Sequence, residues 1–102
     1  MIPAEVPNLV DGEERPPASG RWLEKERPAD GEHLCRVARS GAEDAAAAVA
    51  AARAAQPGWA EWTAVERGLL VREIAELLRA RRDEASELVA AETGKPLALA
   101  QG

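Results

Sequence analysis

The chain has 102 residues, a formal net charge of −5 and an isoelectric point near 4.9. This acidic balance argues against a nucleic-acid-binding protein, which needs a basic face. No apolar run approaches the roughly twenty residues of a membrane span, and the N-terminus lacks the basic start and apolar core of a signal peptide.

Residues 1–40 are predicted to form strands and turns, because prolines and glycines break any helix in the first part of the chain. A short strand at residues 8–10 enters an Asp-Gly turn at residues 11–12, where glycine supplies the positive φ. A hairpin is predicted from about 22–27 with 33–38, around a turn of the type Pro then Asp-Gly. Since isolated hairpins are marginal in water, we expect these strands to lie on a partner surface.

The first helix is predicted over roughly 42–56. Ser40 and Glu43 have the spacing of a capping box, in which each side chain accepts a backbone N–H of the other's turn. The helix is rich in alanine, which allows another element to approach closely. Pro57 and Gly58 are expected to end it.

The second helical stretch begins with another capping box, formed by Thr63 and Glu66. An apolar stripe at helical spacing follows, made of Leu70, Val71, Ile74, Leu77 and Leu78. Asp83 is expected to mark a new cap or a kink. Gly94 can adopt the positive φ of a helix C-terminus, and Pro96 prevents continuation. The sequence therefore predicts a two-part amphipathic helix with a firm stop.

Composition indicates that these elements need a partner outside this chain. The hydrophobic content of 46% is largely alanine, and the chain has no Phe and no Tyr. Alanine buries much less apolar area than leucine or isoleucine, so the core is expected to be small. Trp59 and Trp62, in the predicted link between the helices, are interpreted as packing anchors. Residues 97–102 are predicted to begin a further helix without a terminator, which we interpret as a sign of truncation.

Three patterns occur in a fixed order along the helical part: W-x-x-W, then T-x-x-E-R, then E-T-G-K-P-L. They comprise Trp59 and Trp62; Thr63, Glu66 and Arg67; and Glu92 to Leu97. This order resembles the N-terminal region of the NAD(P)-dependent aldehyde dehydrogenase superfamily, and the resemblance runs from about Asn8 to Gly102. It implies an α+β fragment of the α/β aldehyde dehydrogenase-like fold, with short N-terminal β-hairpins followed by three amphipathic helices. Residues 41–102 would be a helical segment flanking a missing cofactor-binding domain.

The resemblance also implies an activity for the parent protein, namely oxidation of an aldehyde to a carboxylic acid with NAD or NADP. In that family a cysteine thiolate attacks the carbonyl, hydride passes to the nicotinamide, and water releases the thioester. The implied partners are the remainder of the subunit and, in full-length form, further copies of it, but no nucleic acid and no membrane. The family's catalytic and cofactor-binding residues lie beyond residue 102. We therefore predict no catalytic, cofactor-binding or metal-binding residue here, and no activity for this chain alone.

Cys35 and His33 are the obvious candidates for chemistry, and both are interpreted as structural or surface residues. Cys35 lies in the middle of a predicted strand, without the helix N-terminus, cation or base that activates a thiol. His33 is the only histidine, and no spaced second pair of ligands is present for a metal. A single cysteine cannot form an internal disulfide, so we expect a reducing, cytoplasmic location.

Two patterns could suggest anion binding. Gly94 and Lys95 lack the remaining residues of a Walker phosphate loop, so they are interpreted as a helix stop. The cations Arg79, Arg81 and Arg82 are followed directly by acidic residues, which favours a solvated helix end, with an anion-binding patch as the alternative.

The alternative to an aldehyde dehydrogenase part is a non-catalytic helical interaction module or one half of a split enzyme, docking through the apolar stripe. Such a module is expected to finish on a capped helix. A third possibility, an independent small enzyme, would need a nucleophile and base in contact, and Cys35 with His33 on one strand is poor geometry for that.

Overall fold

The structure, a computed structural model, describes residues 2–102. Within this range the chain forms five short strands followed by four helices. The strands are β1 (Glu5–Val6), β2 (Asn8–Val10), β3 (Glu13–Arg15), β4 (Trp22–Glu26) and β5 (His33–Ala38). The helices are α1 (Ala42–Glu61), α2 (Ala64–Ala80), α3 (Arg82–Thr93) and α4 (Leu97–Ala100). The order of short strands and then three long helices confirms the predicted α+β class.

Strands β2 and β3 form an antiparallel hairpin, with Asn8 opposite Arg15 and Val10 opposite Glu13. The connecting residues Asp11 and Gly12 have φ values of 55° and 75°. Two successive positive φ angles are the signature of a type I′ turn, whose twist matches that of the strands it joins. The predicted strand and Asp-Gly turn are confirmed.

A second sheet has the strand order β1-β5-β4. Its β4–β5 pair is the hairpin predicted for residues 22–27 and 33–38. At the turn, the Gly31 N–H donates to the Arg27 carbonyl at 2.8 Å, and Gly31 has a φ of 75°.

Strand β1 was not predicted, because two residues carry no measurable periodicity. It runs parallel to β5, with Glu5 opposite Arg36. The Arg36 guanidinium forms an ion pair with the Glu5 carboxylate and lies 4.8 Å from the centroid of the Trp22 ring. Arg36 therefore links all three strands of this sheet, through charge to β1 and through a cation–π contact to β4.

Helix α1 begins on a different cap from the one predicted. The Asp44 carboxylate accepts the Gly41 N–H at 2.9 Å, while the Ser40 hydroxyl donates to the Asn8 amide oxygen at 2.6 Å. The predicted capping box of Ser40 and Glu43 is therefore wrong by one residue. Glycine is a common N-cap residue, so Gly41 can take this position. The Ser40 side chain bonds instead to Asn8, which lies 32 residues earlier in the chain.

The predicted end of α1 is also wrong, since the helix continues through Pro57 to Glu61. Proline in a helix interior removes one backbone hydrogen bond and crowds the carbonyl four residues earlier, at a cost of about 3 kcal/mol. The remainder of the fold therefore offsets this cost in α1. Trp59 consequently lies inside α1, and only Trp62 lies in the link to α2.

The capping box at the start of α2 is confirmed. The Thr63 hydroxyl accepts the Glu66 N–H at 3.2 Å, and the Glu66 carboxylate accepts the Thr63 N–H at 2.7 Å. These hydrogen bonds lower the pKa of the Glu66 carboxyl, the backbone bond from Thr63 being the larger cause.

The break between α2 and α3 falls at Arg81, which has a φ of −107° and a ψ of 23°. The predicted position, Asp83, is two residues too late. Asp83 instead lies in the first turn of α3, where a carboxylate interacts favourably with the helix dipole. Gly94 has a φ of 74° and ends α3 as predicted, and Pro96 precedes α4.

The chain divides into two compact units, one containing Glu26–Leu34 and Trp62–Gly102, the other formed by Pro3–Lys25 and Cys35–Glu61. Among the described residues, the buried apolar side chains are Val10, Pro17 and Cys35, all in the second unit. In the unit that carries α2, α3 and α4, the described residues include one buried side chain, that of Ser86. The small core follows from the alanine-rich composition.

Candidate functional site

The most extensive functional surface is the apolar face of α2, here called the α2 stripe: Leu70, Val71, Ile74, Leu77 and Leu78. At 100° per residue, these five side chains fall within one arc of about 120°. Each of them is between 37% and 61% exposed. The predicted stripe is thus present on one face of a helix, and within the described residues it is only partly covered.

Burial of the exposed part of the α2 stripe would contribute a large free energy for a chain of this size. Full burial of a leucine, isoleucine or valine contributes about 1.5–3 kcal/mol, so covering the exposed half of five such residues contributes about 4–7 kcal/mol. Native domains are stable by only about 5–15 kcal/mol in total. A surface of this size is therefore expected to be covered in the functional protein.

The opposite face of α2 has the character of a solvated surface. Arg72 and Glu76 form an i,i+4 ion pair with 2.9 Å between nitrogen and oxygen, and both side chains are more than half exposed. Val65 and Leu69 also lie on this face, next to each other at i,i+4, and both are exposed, as much of the apolar surface of folded proteins is. The helix therefore has one side suited to packing and one suited to water.

A groove between α2, α3 and α4 continues the stripe, since Leu78 belongs to both. Its volume is about 300 Å³. The lining residues from α2 and α3 are half apolar and half polar, and residues 100–102 close one side: Leu78, Arg79, Arg82, Ala85, Ser86, Val89, Ala100, Gln101 and Gly102. A groove of this kind accepts a side chain from a surface that docks on the stripe.

The cations at the α2–α3 junction are not uniformly solvated. Arg82 donates from its guanidinium to the backbone carbonyl of Gln101, with 2.9 Å between Nε and the oxygen. Arg82 is exposed, as expected for a solvated helix end, and its guanidinium in addition bonds to the end of α4. Sequence reasoning missed this role because the partner lies 19 residues away.

Cys35 and His33 do not form a reactive pair. The Cys35 thiol is free and only 5% exposed, in the middle of β5, while His33 is exposed at the start of the same strand. Free cysteine in such a position packs as a small hydrophobic residue. Among residues 2–102, no three His, Cys, Asp or Glu side chains are grouped so that they could hold a metal ion.

The N-terminus of α1 resembles an anion site but is already filled. The Asp44 carboxylate accepts two backbone N–H groups, from Gly41 at 2.9 Å and from Ala18 at 3.0 Å. Helix N-termini bind phosphates through such free N–H groups. Here the Asp44 carboxylate occupies that position. The spacing of Asp44, three residues after Gly41, could have indicated this role from the sequence.

The described residues show no sequence fingerprint for binding a dinucleotide. The buried polar side chain among them, Ser86, already bonds to the carbonyls of Arg82 and Ala100. No G-x-G-x-x-G pattern is present in the sequence to bring a backbone close to a pyrophosphate. None of the described helices is both long and apolar enough to cross a bilayer.

Comparison with known proteins decides the family. A model of the aldehyde dehydrogenase family matches residues 15–102. The chain belongs to the aldehyde dehydrogenase family. The resemblance noted at Trp59–Trp62 and at Glu92–Leu97 is thereby confirmed, and these motifs lie within the matched residues.

Solved structures agree with this assignment along almost the whole chain. A succinate-semialdehyde dehydrogenase from Burkholderia pseudomallei is 37% identical, with a TM-score of 0.92 over 95% of this chain. An NAD-dependent aldehyde dehydrogenase from Sinorhizobium meliloti is 35% identical, with a TM-score of 0.90 over 96%. An NADP-dependent enzyme from E. coli is also 35% identical, with a TM-score of 0.93 over 96%.

The chain spans a small part of these aldehyde dehydrogenases, since it covers 20% of each of the three. Within that part, the strands and helices described above superimpose on those of the longer enzymes. The α2 stripe is thus a feature of a segment that, in each similar structure, belongs to a chain about five times as long.

Proposed function

We propose that this chain is the N-terminal structural part of an aldehyde dehydrogenase subunit that oxidises an aldehyde to a carboxylic acid with NAD or NADP. The observation that carries the proposal is the partly exposed α2 stripe, together with the family membership. An apolar face worth about 4–7 kcal/mol on burial is expected to meet a large complementary surface. The four fifths of the similar structures that this chain does not cover are of the right size to supply it.

The role assigned to the chain itself is packing. Residues 41–102 would flank a cofactor-binding domain, with the α2 stripe facing that domain, and residues 1–40 would form an edge of strands. The charged face of α2, with the Arg72–Glu76 ion pair, would remain in water. In this proposal no step of the reaction is assigned to residues 2–102, which is supported by the burial of the free Cys35 thiol in the middle of β5.

NAD or NADP would be held by the remainder of the subunit. The names of the similar structures support both cofactors, one being NAD-dependent and another NADP-dependent. Assembly of the complete subunits into a homo-oligomer and a cytoplasmic location are further parts of this proposal. The single cysteine, buried and unpaired, is compatible with a reducing compartment.

The proposal is tested by the intact mass of the native polypeptide that carries residues 41–96, isolated with whatever co-purifies. A polypeptide about five times longer, with dehydrogenase activity on aldehydes in the presence of NAD or NADP, is the expected result. A free chain of 102 residues with a larger partner would instead indicate a split enzyme, in which activity requires both pieces. A free chain without a partner would refute the oxidoreductase proposal and leave a non-catalytic interaction module.

A further inference from the structure

We draw no further inference here: the strongest candidate, the cavity of about 300 Å³ beside the N-terminus of α1 that Arg21 and Arg39 line, carries no ligand assignment, because Glu43 and Asp44 lie in the same lining and oppose the charge of the two arginines, and a helix N-terminus is not by itself a site.

Discussion

Ile74 lies at the centre of the α2 stripe and is 51% exposed, so its replacement by alanine measures whether another surface covers the stripe. If the stripe faced water, Ile74→Ala would lose about half of a burial term of 1.5–3 kcal/mol. It would regain a few tenths of a kcal/mol, because alanine is the better helix former. The expected change in the free energy of unfolding for a water-facing site is therefore below about 1 kcal/mol.

If a docked surface covers the stripe, Ile74 is a core residue, and its replacement by alanine leaves a cavity. Substitutions of this kind cost about 2–5 kcal/mol, depending on how well the site collapses. We therefore expect Ile74→Ala to lower the free energy of unfolding of the native polypeptide by about 2–4 kcal/mol. The assay is equilibrium unfolding in urea, with wild type and variant compared at equal m-values.

Val65→Ala is the matched control on the same helix. Val65 precedes Ile74 by nine residues, which at 100° per residue places it on the opposite face. Its replacement is expected to change the free energy of unfolding by less than about 0.5 kcal/mol, because alanine's helix propensity offsets the lost contact. Equal and small effects of Ile74→Ala and Val65→Ala would refute the argument that the stripe is a docking face.

Three further outcomes follow from local features. Because the pKa of the Glu66 carboxyl is lower in the folded helix, its ionised form adds stability above the ordinary value of about 4.5, and this contribution is lost as the pH falls through the lowered pKa. Glu66→Gln is therefore expected to flatten the dependence of the urea midpoint on pH in this acidic range, and an unchanged dependence would contradict the role of the capping box. Gly94→Ala should lower the free energy of unfolding in urea by about 1–2 kcal/mol, since φ is 74° at this position. Gly94→Asn should lower it less, because asparagine enters the left-handed region more readily. Equal losses in the two variants would argue against backbone strain as the cause. Arg72→Ala should change the free energy of unfolding by less than about 0.5 kcal/mol, because its ion pair with Glu76 is solvent-exposed, and a loss above 1 kcal/mol would show that this face is covered.

Features that depend on neighbouring residues were predicted correctly from the sequence. The Thr63–Glu66 capping box and the Gly94 stop each involve groups within one helical turn, so the local pattern determines them. The Asp-Gly turn of the first hairpin is equally local, since its backbone angles favour those two residues. The stripe of α2 was predicted because its helical period repeats over nine residues.

The candidate site could be predicted only in part. The α2 stripe was recognised as an unpartnered face, and the motifs from Trp59 to Leu97 indicated the family. The hydrogen bonds from Arg82 to the Gln101 carbonyl and from Ser86 to the Ala100 carbonyl were not predicted, because an i,i+4 polar pair at a helix start has no distinctive signal until α4 lies beside it. The prediction that this chain carries no catalytic or cofactor-binding residue stays a prediction.

The sequence by itself determined that short strands precede the long helices, that α2 begins on a capping box, that α3 stops at Gly94, and that the chain lacks enough large side chains for a substantial core. These properties follow from backbone preferences and side-chain spacing over a few residues. The tertiary structure alone decided that Gly41 rather than Ser40 is the N-cap of α1, that α1 runs past Pro57, and that β1 joins β5 through Arg36. It also decided that Arg82 turns to α4. Three of the contacts involved join residues that are 19 to 32 positions apart, namely Ser40 with Asn8, Arg36 with Glu5 and Arg82 with Gln101. Hydrogen bonds of this kind, worth about 1 kcal/mol each, compete with weak local preferences of similar size.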